Sequence, residues 1–173
     1  MRPEGVASAQ RELKRALRAR DHFVMATDPE AMEDAWDTFL THAGRVYEKL
    51  RAACHGQLDW PWWRKQMDRR RDDELLLYIH KARNSETHRL ESATQYLLPG
   101  NYQFDLKDYG RIVEYVGFPQ LMPLPVRDRE GNIYDPPCRH NGRFIGRMDA
   151  GTIIWLASTH LQDLVREAAS RLR

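Results

Sequence analysis

Arg83, Asn84 and His88 place a permanent cation, an amide and an imidazole within six residues, where an apolar run ends. Such a set can bind a phosphate and move a proton beside it. The guanidinium offers a planar fork to two oxygens, and the imidazole titrates near working pH. Asn84 and His88 are four apart and share one face of a continuous helix. Arg83 stands about 140° from His88 on an ideal helix, so the two meet only through side-chain reach, a helix distortion or a second copy of the chain. His80 precedes Asn84 by one turn; it either enters this site or is a packed or surface histidine, and the second is expected. Upstream, residues 64–71 hold five cations in eight positions: Arg64, Lys65, Arg69, Arg70 and Arg71. On a continuous helix Arg71 lies about 18 Å from Arg83, a few nucleotide spacings, so the run is a candidate for binding phosphates. A solvated basic face is the alternative.

The helix that must position these residues is marked by Leu75, Leu76, Ile79 and Ala82, which recur at three- and four-residue intervals. It is expected within a span of about 61–90, either continuous or broken near Asp72. Two helices should precede it. Val6, Ala9, Leu13, Ala16, Leu17 and Phe23 mark the first, over about 3–25, with Arg11, Arg15 and Arg18 on its outer side. Asp28-Pro29 is a helix start, a capping carboxylate followed by proline in the first turn. From there Trp36, Phe39, Leu40, Ala43, Val46, Tyr47 and Leu50 carry a second helix over 29–54, closed by Gly56. Trp60, Trp62 and Trp63 are expected to pack at the end of the bundle rather than stack on bases. Residues 96–145 change texture, with Pro99-Gly100-Asn101 a turn and residues 111–116 rich in β-branched side chains. A small antiparallel β insertion of two to four strands is expected there, including a hairpin loop at residues 128–132. The helical period returns over 152–172 with Ile153, Leu156, His160, Leu161 and Leu164. The fold class is therefore mainly α: an antiparallel bundle of four or more helices in one domain over 1–173, with a β insertion before the last helix.

An apolar helix that ends in Arg83-Asn84-x-x-x-His88 resembles the signature of the HEPN superfamily. The resemblance implies a helical bundle and a metal-independent endoribonuclease in which two copies of Arg83, Asn84 and His88 face each other across a homodimer groove. It also implies RNA as substrate, no cofactor, and a place in toxin–antitoxin, defence or RNA-processing systems, with an antitoxin or other protein as a possible partner. Relatives of this shape also serve as catalytically silent RNA- or protein-binding modules.

Composition bounds these expectations. A 173-residue chain that is 42% hydrophobic and 30% charged can bury a sizeable core. A net charge of +2 leaves any nucleic-acid contact to local clusters. No apolar run is long enough for a membrane span, and the first residues lack the apolar centre of a signal peptide, so a cytoplasmic protein is expected. Two cysteines, Cys54 and Cys138, make no disulfide framework. Neither Cys54-His55 nor Cys138-x-His140 has zinc-ligand spacing, and no metal is expected. His140 is expected to be an exposed turn histidine, with a loop ligand at the bundle end as the alternative.

Overall fold

Proline in the first turn starts three of the five described helices, where its missing N–H would be unpaired anyway and its fixed φ suits the helix. The computed structural model describes residues 1–89, 93–106, 110–116 and 119–172, with the backbone alone for 86–89, 104–106 and 110–116. The helices are α1 (Pro3–Met25), α2 (Pro29–Cys54), α3 (Trp60–Asp72), α4 (Glu74–Arg89) and α5 (Ala150–Ser170). Asp28 caps α2 by accepting from the Ala31 N–H at 2.9 Å, and Asp149 caps α5 through the Thr152 N–H at 2.6 Å. Gly56 follows α2 at φ +69°, a left-handed position that suits glycine. None of the described helices is long and apolar enough to cross a membrane.

The core forms where the expected stripes meet. Trp36, Phe39, Leu40 and Val46 of α2, Leu76 and Ile79 of α4, and Leu161 and Leu164 of α5 are all buried in one cluster. Emptying the Trp36 site would cost about 3–5 kcal/mol by the usual cavity arithmetic. Small residues let α1 and α2 approach closely: a Cβ on Gly5 would stand 2.6 Å from that of Ala53. Buried Glu12 bridges the same two helices. It accepts from His42 Nδ1 and from Arg15 Nη1, both at 2.7 Å, so its charge is paired. Trp62 and Trp63 are buried, as expected for packing residues; Trp63 meets Tyr47 edge to face at 6.1 Å.

The span over 61–90, expected to be either continuous or broken near Asp72, is two helices, and Asp73 is the reason. Its backbone is extended, at φ −103° and ψ 122°. Its carboxylate accepts from the Leu76 N–H at 3.1 Å and from the Asn141 N–H at 2.7 Å. A side chain that satisfies the first turn of α4 from outside the helix ends the previous one.

Between α4 and α5 the described strands form four antiparallel pairs, more than the two to four strands expected. They are β1 (Thr94–Leu97) with β4 (Gln120–Pro123), β2 (Gly100–Leu106) with β3 (Gly110–Val116), β5 (Val126–Arg127) with β6 (Ile133–Tyr134), and β7 (Arg139–His140) with β8 (Arg143–Phe144). The last two pairs have two-residue strands, too short to show an alternating pattern. Asn141 (φ +51°) and Gly142 (φ +74°) make the two-residue turn of the final hairpin. The insertion is seated on the bundle. Ala93, Leu121 and Val126 join the main core, and the Tyr78 hydroxyl donates to the Leu124 carbonyl at 2.7 Å.

Candidate functional site

Arg83 leaves α4 towards α2 and crosses it at Gly44. A Cβ on Gly44 would stand 2.8 Å from Arg83 Nε and 2.9 Å from its Cδ, so α2 must be bare there for the side chain to lie flat. Arg83 Nη2 then donates to Glu48 Oε1 at 2.8 Å. Arg70 arrives from α3 with its guanidinium carbon 4.7 Å from the centre of the Tyr47 ring. It forms no ion pair among the described residues. Burial depresses its pKa, and the nearby Arg83 charge adds to that. His80, half-buried one turn before Arg83, feels the same charges. Burial first, then Arg70, Lys81 and Arg83, push its pKa down to about 4, so the ring is neutral at neutral pH. Two guanidiniums and a neutral imidazole thus share a surface where α2, α3 and α4 meet, and Glu48 supplies a carboxylate.

Behind this surface a polar chain runs through the bundle. Tyr47 is buried, and burial raises its pKa despite Arg70 and Arg69, so the phenol keeps its proton. It faces His160 Nε2 at 2.9 Å. Burial, then Arg69 and His140, lower the His160 pKa to about 4. With the imidazole neutral, a single proton lies between the phenol oxygen and Nε2. His160 lines a cleft of about 260 Å³ with Arg69, His140, Asn141 and Thr159.

His140 is not an exposed turn residue. Its Nδ1 lies 3.1 Å from both oxygens of Asp73, and its Nε2 accepts from Asn141 Nδ2 at 2.9 Å. Glu74 adds a second anchor by accepting from the backbone N–H groups of Cys138 and Arg139 at 3.1 and 3.0 Å. Burial alone would raise the Asp73 pKa, but the bonds from Asn141, His140 and Leu76 outweigh it and hold the carboxyl below its usual value. The helix break and the β7–β8 hairpin therefore stabilise each other.

The expected site residues separate into groups. Arg70, His80 and Arg83 come together. Asn84 does not join them; it lines a different cleft of about 350 Å³ with Lys81, Ser85, Arg127, Asp128, Arg129 and Glu130. Successive helical residues point about 100° apart, which accounts for the split. His88 belongs to the last turn of α4 by its backbone, and its side chain lies outside the described residues. The basic run 64–71 is not one patch. Arg69 donates to Asn141 Oδ1 at 2.8 Å, Arg70 turns inward to Tyr47, and Arg71 pairs with Asp68 at 2.9 Å. Arg64 and Lys65 are exposed. Sequence reasoning missed Gly44, Tyr47, Glu48, Asp73 and His160 as parts of the site. Two of these carried a signal: a lone glycine inside a helical pattern, and an aspartate three residues before Leu76.

Among the described residues no group of three or more His, Cys, Asp or Glu side chains is placed to hold a metal ion. No family model, curated protein or solved structure matches the chain.

Proposed function

We propose that the chain is a HEPN-like RNA-binding bundle that cleaves RNA by attack of the RNA's own 2′-hydroxyl, with two copies contributing to each site. The observation that carries this is the meeting of Arg70, His80 and Arg83 on one surface. Arg70 and His80, both pushed down by burial and by the Arg83 charge, are relieved together by a phosphate. Arg83, swung from Glu48, can fork two oxygens of the crowded phosphorane. A bound phosphate also raises the pKa of His80 towards the working range, where an imidazole can take the hydroxyl proton. The leaving 5′-oxygen needs a second proton carrier, and the resemblance of Arg83-Asn84-x-x-x-His88 assigns that to His88. Arg83 and Asn84 lie on different faces, so a second copy supplies whichever of them the first cannot bring to the phosphate.

RNA binding without cleavage is the second possibility. It is favoured by the Arg83–Glu48 ion pair, which a substrate must open. One assay separates the two. Purified protein is incubated with cellular RNA in excess EDTA, and its mass is measured by light scattering. Cleavage should leave 2′,3′-cyclic phosphate ends, spare DNA of the same sequence, and fall about 10²–10⁴-fold in Arg83→Ala and His88→Ala. Arg83→Lys should rescue poorly, because a point charge lacks the fork. A monomeric protein, or cleavage unchanged in His88→Ala, would refute the composite site. Binding with no cleavage would leave the silent module.

A further inference from the structure

The β5–β6 hairpin closes a second cleft on α4. Its lining carries cations from Lys81, Arg127 and Arg129 and carboxylates from Asp128 and Glu130. Those charges are not equally free. Lys81 donates to Asp128 at 2.9 Å while lying 4.3 Å from the centre of the Tyr134 ring. Tyr134, Asn132 and the backbone of the loop also donate to Asp128. Asp128 is thus the structural centre of the hairpin loop, and Lys81 is its counter-ion. Arg127 and Arg129 remain exposed, and neither has an ion pair among the described residues. Glu130 is the one lining carboxylate that faces them without a cation.

The floor of the cleft comes from α4. Ser85, only 4% exposed, lines the cleft from this side. Asn84 beside it makes no hydrogen bond to another described residue. A serine hydroxyl and an open amide lining one cleft with two guanidiniums that have no ion pair among the described residues fit a ligand that is both anionic and rich in acceptors. At about 350 Å³ the cleft is large enough for a phosphate and its sugar.

We propose that the β5–β6 hairpin and the Asn84–Ser85 face of α4 form a second phosphate-binding cleft for single-stranded RNA. Arg127 and Arg129 hold backbone phosphates, and Ser85 and Asn84 hydrogen-bond to the sugar-phosphate chain. This rests on the proposal that the chain binds RNA, and it gives the insertion a part in holding the strand. The cleft lies about 100° around α4 from Arg83, so it takes a different stretch of the strand from the one bound by Arg70 and Arg83.

The test is the binding of a fluorescein-labelled single-stranded RNA of about 12 nucleotides, followed by anisotropy from about 50 to 200 mM salt. The wild type is compared with Arg127→Ala/Arg129→Ala, Arg70→Ala/Arg83→Ala and Asn84→Asp. Two lost phosphate contacts at about 0.7 each should lower the salt slope by about 1.4. The affinity gap between wild type and the Arg127→Ala/Arg129→Ala protein should then shrink about sevenfold across that range. Asn84→Asp, which places a carboxylate in the cleft, should also weaken binding. Both arginines are exposed, so an unchanged thermal midpoint should accompany the loss. If Arg70→Ala/Arg83→Ala weakens binding while Arg127→Ala/Arg129→Ala leaves affinity and slope unchanged, the second cleft is refuted and the first site stands. A wild type that binds no RNA overturns both.

Discussion

Gly44→Ala separates the position of Arg83 from its chemistry, because no candidate functional side chain is removed. The added Cβ would stand 2.8, 2.9 and 3.0 Å from Nε, Cδ and Cζ of Arg83, closer than such atoms normally come. These atoms lie in the middle of the side chain and at its head, so relief requires the guanidinium to lift off α2. The Glu48 contact at 2.8 Å is then lost or re-formed elsewhere. For stability the terms nearly cancel. Alanine gains about 1 kcal/mol over glycine inside a helix. A half-exposed ion pair is worth about 0–1 kcal/mol, and an off-rotamer arginine costs about 0.5–1.5 kcal/mol. The net runs from about 0.5 kcal/mol stabilising to about 1.5 kcal/mol destabilising, a change in melting temperature of no more than about 3–6 °C. Function should not be spared in this way, since an ångström of misplacement can cost about 10²-fold in rate. The assay is RNA cleavage and binding beside a thermal melt on the same preparation. Unchanged activity would show that the seat of Arg83 on α2 does not matter. A melting temperature lowered by 10 °C or more would show that Gly44 serves the packing of α2 itself.

Acid should loosen the fold in a defined window. His80 and His160 take protons near pH 4 in the folded chain and near 6.5 when unfolded, so the unfolded state binds more protons between those values. Stability should therefore be complete above pH 6.5 and decline by about 1–3 kcal/mol per histidine as pH falls to 4, read as a lower midpoint in urea. A midpoint that is flat across this window would refute the burial of the two imidazoles. Asp73, held below its usual pKa, should add a further loss below about pH 4. Asp73→Ala removes a helix cap and leaves His140 and the Asn141 N–H without their acceptor, for about 2–4 kcal/mol. Hydrogen exchange should then speed up at Asn141 as well as at Leu76; exchange faster at Leu76 alone would show that the hairpin does not depend on the break.

The bundle was legible because a helix shows its buried face at a fixed spacing. Trp36, Phe39, Leu40 and Val46 lie on one such stripe, and Leu76, Ile79, Leu161 and Leu164 on two more; all are buried. The small hairpins were hidden for the opposite reason. Two-residue strands have no period, and what holds β7–β8 is a set of bonds to Asp73 and Glu74, more than sixty positions earlier. The same distance in sequence concealed much of the site. Arg70 was visible as one cation in a basic run, but not that it turns inward onto Tyr47. Tyr47 and His160 were visible as members of apolar stripes, and their polar ends found each other across 113 positions.

The placement of Arg83 and Asn84 on two faces of α4 follows from helix geometry. Arg83 and Asn84 are adjacent in sequence, so one faces α2 and the other the inserted hairpin. As placed, Arg83 is seated over Gly44 and Asn84 lines the second cleft. A strand that touches both must pass around the end of α4 or bridge two copies of the chain. The two routes differ in what they require of the oligomer. Wrapping works in a monomer and makes the contributions of Arg83 and Arg127 additive within one molecule. Bridging requires a dimer. Mixing an Arg83→Ala copy with an Arg127→Ala/Arg129→Ala copy would then rebuild one intact site from two defective ones. Recovery of tight binding in such mixtures, absent from either protein alone, would establish bridging; no recovery at protein concentrations where the two copies associate would establish wrapping.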